Sequence, residues 1–99
     1  MLSLTRADLR LLMPMTDAIT IMKEAFTELS AGRAEAPLRT VLHEASRNLD
    51  TLFMPAFVPS LDALGLKVVS VAQDNPSKGL PVIHAVVFLV DPETGQPLA

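Results

Sequence analysis

Ninety-nine residues, 49% hydrophobic and 19% charged, describe one small globular domain, residues 1–99, and exclude a two-domain enzyme within this chain. Eight Lys plus Arg against eleven Asp plus Glu leave a net charge of −3, which gives no basic footprint for a nucleic-acid partner. The lack of cysteine removes disulfides, thiolate metal sites and a cysteine nucleophile together, and suits a reducing, cytoplasmic setting.

No apolar run approaches the roughly 18 residues of a spanning helix, and MLSLTRADLR carries no apolar signal core, so a soluble chain without a membrane partner is expected. Thr5-Arg6-Ala7-Asp8 has capping-box spacing and predicts a short helix over Thr5 to Met13, interrupted by Pro14. From Thr16, Ala18, Ile19, Met22, Ala25, Phe26 and Leu29 recur at steps of three and four, while Asp17, Thr20, Lys23, Glu24 and Glu28 take the other side. That is one amphipathic helix of about four turns, stopped by Gly32 and expected to lie on a core.

After Gly32 the period becomes extended. Pro37 to Glu44 reads as a strand, Ala45 to Asp50 as a polar turn, and Thr51 to Val58 as its hairpin partner. Pro55 cannot donate to a ladder, so the second strand is an edge there or carries a bulge. Leu64 to Val71 and Val82 to Val90 are apolar on both faces, the pattern of strands covered on two sides. The expected class is therefore α+β: a mostly antiparallel or mixed sheet with two N-terminal helices. Two helices can cover one face, which leaves the other for a second copy of the chain and predicts a homodimer. Asp91-Pro92-Glu93-Thr94-Gly95 is a turn that starts a further strand, yet the sequence reaches only Ala99, which reads as a truncated chain.

Four positions are candidates for chemistry. Lys67 lies inside Leu64-Gly65-Leu66-Lys67-Val68-Val69, where an ammonium is costly unless paired or hydrated, so it could serve as proton donor, proton acceptor or counter-charge to a substrate carboxylate. A lysine snorkelling from a sheet edge is the plainer alternative. Arg39, in Pro37-Leu38-Arg39-Thr40, can grip a carboxylate through two parallel hydrogen bonds or make a surface salt bridge. His84 shares a strand face with Val82, Val86 and Phe88 and can bond a carbonyl or face a ligand. His43 and His84 lack companions at ligand spacing, so no metal is expected. The glycines at 32, 65, 79 and 95 never fall two apart, so the dinucleotide fingerprint GxGxxG cannot be written and no nucleotide site is encoded.

Read in order, Ala31-Gly32-Arg33, Pro37-Leu38-Arg39-Thr40, Met54-Pro55-Ala56, Gly65-Leu66-Lys67-Val68-Val69-Ser70, Asn75-Pro76-Ser77-Lys78-Gly79-Leu80-Pro81 and Asp91-Pro92-Glu93-Thr94-Gly95-Gln96-Pro97-Leu98 resemble the N-terminal part of the ornithine cyclodeaminase and mu-crystallin family. The resemblance covers nearly the whole chain. It implies a dimer-forming, substrate-binding domain that is followed, in longer members, by a Rossmann domain holding NAD or NADP, with no cofactor bound by the present chain. In such enzymes a hydride leaves the α-carbon of an amino acid for the nicotinamide, as in cyclodeaminases, alanine dehydrogenases and ketimine reductases; the mu-crystallin branch implies binding without turnover, and a stand-alone interaction module is a third possibility. The family's carboxylate-gripping arginine falls on Arg39 and its active-site lysine on Lys67. Val82, where several members carry threonine, and His84 complete the expected substrate-contacting set, while Ala85 stands where many have glycine. These 99 residues are expected to be catalytically inactive alone.

Overall fold

The structure, a computed structural model, describes residues 1–99. Helix α1 spans Arg6–Leu12 and helix α2 Met15–Ser30. The capping box forms as its spacing predicts: the Asp8 amide donates to Thr5 Oγ1 at 3.2 Å and the Thr5 amide to Asp8 Oδ2 at 2.7 Å. The Thr5 amide, and after it the Thr5 hydroxyl, which donates to the same Oδ2 at 2.7 Å, hold the Asp8 carboxyl below the usual carboxylate range. Pro14 takes the N-cap position of α2, where a missing amide costs nothing. At the other end Gly32 adopts φ 74°, and the Arg33 amide donates to the Glu28 carbonyl at 2.9 Å. The Arg33 guanidinium also grips the Glu28 carboxylate at 2.8 and 3.0 Å, fixing the direction in which the chain leaves the helix.

Four strands follow as an antiparallel meander in the order β1-β2-β3-β4: Thr40–Glu44, Leu49–Val58, Ala63–Ala72 and Ile83–Val90. The first strand begins at Thr40 rather than Pro37. The two tight hairpins share a design, a short 3-10 turn ending on a left-handed residue, Asn48 or Asp62, each at φ 48°. Asn and Asp tolerate that region best among residues with a Cβ. In the first hairpin the Ser46 amide and hydroxyl both donate to Glu44, which depresses the Glu44 carboxyl. The longer connection between β3 and β4 is tied internally by Asn75 Nδ2 donating to the Pro81 carbonyl at 2.8 Å and by Ser77 Oγ donating to the Asp74 carbonyl at 2.7 Å.

Beyond β4, Asp91 Oδ1 accepts from the Glu93 and Thr94 amides, Gly95 turns at φ 75°, and the chain comes back along β4. Leu98 donates to the Leu89 carbonyl at 2.8 Å and Leu89 to the Ala99 carbonyl at 2.7 Å, so the expected further strand begins here.

One expectation fails. The helices do not cover a face of the sheet: α2 meets it mainly along β2, and no residue of the chain is fully buried. Phe26 and Met22, on the apolar stripe of α2, remain 63% and 50% exposed. The Cα radius of gyration is 15.7 Å, against about 13 Å for a compact chain of this length. The accessible surface is 7692 Å², about 2,200 Å² more than a compact monomer of this mass presents. The physical reason lies in the link: Arg33, tied to Glu28, turns the chain into an extended segment along β2, which brings only the C-terminal half of α2 to the sheet. Both faces of the sheet keep the apolar character read from the sequence, and neither is closed within the chain.

Candidate functional site

Pro55 creates the opening on which the candidate site is built. In a strand, amides two residues apart point to the same side. Phe57 donates to, and its carbonyl accepts from, Glu35 at 2.8 Å each, so at that point β2 is paired on its β1 side by the segment preceding β1. Pro55 faces that same side with no amide to offer. Between the Glu35–Phe57 pair and the Thr40–Phe53 pair, the incoming segment advances five residues while β2 advances four, so one extra residue bulges out over Ala36 to Arg39. The sequence expectation of an edge or a bulge at Pro55 is met in this form, with β2 interior to the sheet on either side of it.

The gap opens into a depression of about 380 Å³ whose lining includes Arg39, Leu38, Met54, Ala56 and Lys67. Its two sides are set by register. Met54 pairs with Lys67, and Lys67 with Val87. Paired residues project to one face, so these three share a row. Arg39 lies outside the paired register, one residue before the Thr40–Phe53 pair and at the end of the bulged segment, and it lines the same depression from the β1 side, so two long cationic side chains border one hollow with Met54. Neither cation is ion-paired, and no carboxylate lines the depression. Lys67 is exposed, which resolves how an ammonium is tolerated in an apolar strand: it stands on a face that the chain leaves in water.

The rest of this face is graded. On one side of the row lie the small residues Ala56 and Gly65, with α2 beyond them; a Cβ added at Gly65 would come within 2.9 Å of the Phe88 carbonyl oxygen. On the other side come the apolar row Val41, Leu52, Val69 and Ala85, and then His43 hydrogen-bonded to Asp50.

His84 and Val82 are not part of this arrangement, contrary to the expected substrate-contacting set. His84 pairs with Ser70 and Ser70 with Thr51, an even-numbered position of β3 against an odd one for Lys67, so alternation turns this row to the opposite face. The Thr51 and Ser70 hydroxyls are hydrogen-bonded at 3.0 Å, and His84 shares a polar depression with them only through Ser70. Val82, whose carbonyl accepts from Ala72, continues the same parity. Met54 and the Ala36–Leu38 bulge were not singled out as functional from sequence; the signal that could have found them is the pair of prolines, 37 and 55, facing one another in adjacent extended segments.

No group of three or more His, Asp or Glu side chains comes together in a geometry that holds a metal ion. These residues also lack the elements of a dinucleotide-binding fold. An antiparallel meander has no parallel crossover from strand to helix to strand, and neither helix begins at a glycine-rich turn after a strand.

Comparison with known proteins places this geometry in a wider setting. The family model described as Ornithine cyclodeaminase/mu-crystallin family matches residues 1–99. The chain is 39% identical over all 99 residues to a Delta(1)-pyrroline-2-carboxylate reductase of Bacillus cereus, covering 30% of that protein. It is 37% identical over 98 residues, 99% of the chain, to an alanine dehydrogenase of Archaeoglobus fulgidus, of which it covers 29%. Among solved structures, Thermococcus litoralis Delta(1)-pyrroline-2-carboxylate reductase in complex with NADH and L-proline superposes with a TM-score of 0.93 at 43% identity, over 99% of this chain and 30% of that one. An archaeal alanine dehydrogenase dimer with bound NAD superposes with a TM-score of 0.87 at 36% identity, over 96% of this chain and 28% of that one. The chain thus spans about 30% of the length of the relatives it matches. With its full length matched, and with two helices and a four-stranded antiparallel sheet superposing on these structures, the chain belongs to the ornithine cyclodeaminase/mu-crystallin family.

Proposed function

We propose that this chain supplies the carboxylate-binding and dimer-forming part of an NAD- or NADP-dependent enzyme that acts on a small amino or imino acid. The observation that carries the reading is the single depression that Arg39, Met54 and Lys67 line together, two unpaired cations and no carboxylate. Arg39 offers a planar fork suited to both oxygens of a carboxylate. Lys67 offers a compact charge whose Nζ can also give up or take a proton beside the reacting carbon, and it is the residue to which a catalytic role is assigned. His84 and Val82 fall outside the proposed contact set, because they face the other way.

Support for the nicotinamide partner comes from relatives whose structures hold NADH or NAD, and for dimer formation from the alanine dehydrogenase dimer. The excess surface of about 2,200 Å² exceeds the roughly 800 Å² that each partner of a standard interface buries, which leaves room for both a second copy and further polypeptide as covering layers. The cysteine-free composition suits the cytoplasm, and no helix is long and apolar enough to cross a membrane.

The test uses the full-length protein that carries this chain. Oxidation of L-proline or L-alanine, followed by NADH or NADPH absorbance, is expected in the parent and lost in Lys67→Ala, with the dimer unchanged by light scattering. Turnover by the 99-residue chain alone, or undiminished turnover in Lys67→Ala, overturns the proposal.

A further inference from the structure

The two cations say what holds a carboxylate; they do not say what the rest of the acid rests on. Three observations bear on that. Met54 pairs with Lys67 in one row and lines the same depression as Arg39, so an acid held by both cations rests in a hollow that its side chain helps to form. The other lining residues near it, Ala56, Leu38 and Pro37, are uncharged and apolar, and the next row along this face, Leu52 with Val69, is apolar as well. No carboxylate lines the depression, and Asp50, two rows further along this face of β2, is already bonded to His43. A second cation on the ligand would therefore meet two positive charges and no counter-charge.

We propose that Met54 is the specificity-determining residue of this depression: its thioether chain is the apolar floor under the side chain of the acid, and it selects acids whose side chain carries no charge. The inference rests on the carboxylate reading of Arg39 and Lys67. Met54 is well suited to the task, because an unbranched, polarisable side chain fills an irregular floor closely without presenting a hydrogen-bonding group. Its neighbour Pro55 restricts the backbone at the gap, Ala56 leaves the adjoining row low, and Met54 is half-buried where Leu38, at the same depression, is 96% exposed.

The experiment measures dissociation constants by calorimetry for L-proline, L-alanine and L-ornithine in the full-length protein and in Met54→Leu, Met54→Gln and Arg39→Ala. Met54→Gln keeps the length of the side chain and replaces its apolar end with an amide. The expected result is that Met54→Leu stays within about threefold of the parent for every acid, while Met54→Gln weakens L-proline about tenfold and L-ornithine by less than about threefold, narrowing the preference for the acid with an uncharged side chain. Equal weakening of all three acids in Met54→Gln, or no change in the proline-to-ornithine ratio with circular dichroism unaltered, overturns the assignment of Met54. Unchanged binding of every acid in Arg39→Ala overturns instead the carboxylate reading beneath it.

Discussion

The two faces of the sheet are made by the same four strands, yet they differ in kind. The face of Lys67 carries unpaired charge beside a gap; the face of His84 carries hydroxyls that satisfy one another, Thr51 with Ser70 at 3.0 Å, among Phe53, Val68 and Phe88. Each side chain that differs does so by one step along a strand. Chemistry in this fold is therefore assigned by parity, and a residue's function cannot be carried to its neighbour, because adjacent positions look into different surroundings.

The largest effect expected from breaking this contrast lies at the cations. In the full-length protein, Arg39→Ala or Lys67→Ala weakens binding of a small amino acid about 100-fold, the scale of a lost charge-assisted contact, whereas Ser70→Ala and His84→Ala on the other face stay within about threefold. Calorimetric titration of the four variants checks both arms. Comparable losses on the two faces would remove the distinction.

Next comes the backbone that holds the Lys67 row in register. Gly65→Val brings a side chain to within 2.9 Å of the Phe88 carbonyl oxygen, and about 1 to 3 kcal/mol of stability is expected to be lost, read as a lower urea midpoint. At the capping box, Thr5→Ala removes an acceptor of the Asp8 amide and costs about 1 kcal/mol of helix stability, visible as reduced helical ellipticity with the sheet signal retained.

Phe26→Ser sharpens the comparison from outside the sheet. The side chain is 63% exposed, so the isolated chain changes by no more than about 0.5 kcal/mol, while a full-length dimer that covers α2 loses association, measured by ultracentrifugation over a dilution series. The smallest effect is that of pH. The carboxyls of Asp8, Glu28 and Glu44 are depressed by bonds from Thr5, Arg33 and Ser46 respectively. A carboxyl whose folded value lies below its unfolded one contributes stability above the unfolded value and loses it as pH falls through the folded value. Melting temperature is thus expected to fall slightly below about pH 4.5 and to do so less in high salt, since Glu44 is exposed and Asp8 and Glu28 are only partly buried.

Much of this was legible residue by residue. Thr5 with Asp8, Gly32, Pro55 and the Asp91–Gly95 turn each act through their own backbone or one near neighbour, and each does what its chemistry predicts. Arg39 and Lys67 were recognisable as cations out of place among apolar neighbours. That they line one depression was not, because it depends on the register of two hairpins and on an extra residue at Ala36 to Arg39. The placing of His84 on the other face was hidden for the same reason: its own strand shows which residues share its face, but not which face of the next strand that is.

By itself the sequence determined the elements, their order, the two-sided apolar character of the strands and the two cations, since these follow from local propensity, periodicity and residue type. Tertiary structure alone decided that Arg39 and Lys67 border one depression, that Met54 lines it with them, that His84 faces away and that the helices leave the sheet uncovered. The reason is that pairing register and helix placement are set by contacts between segments far apart in the chain, and a one-residue shift in any of them exchanges one face for the other.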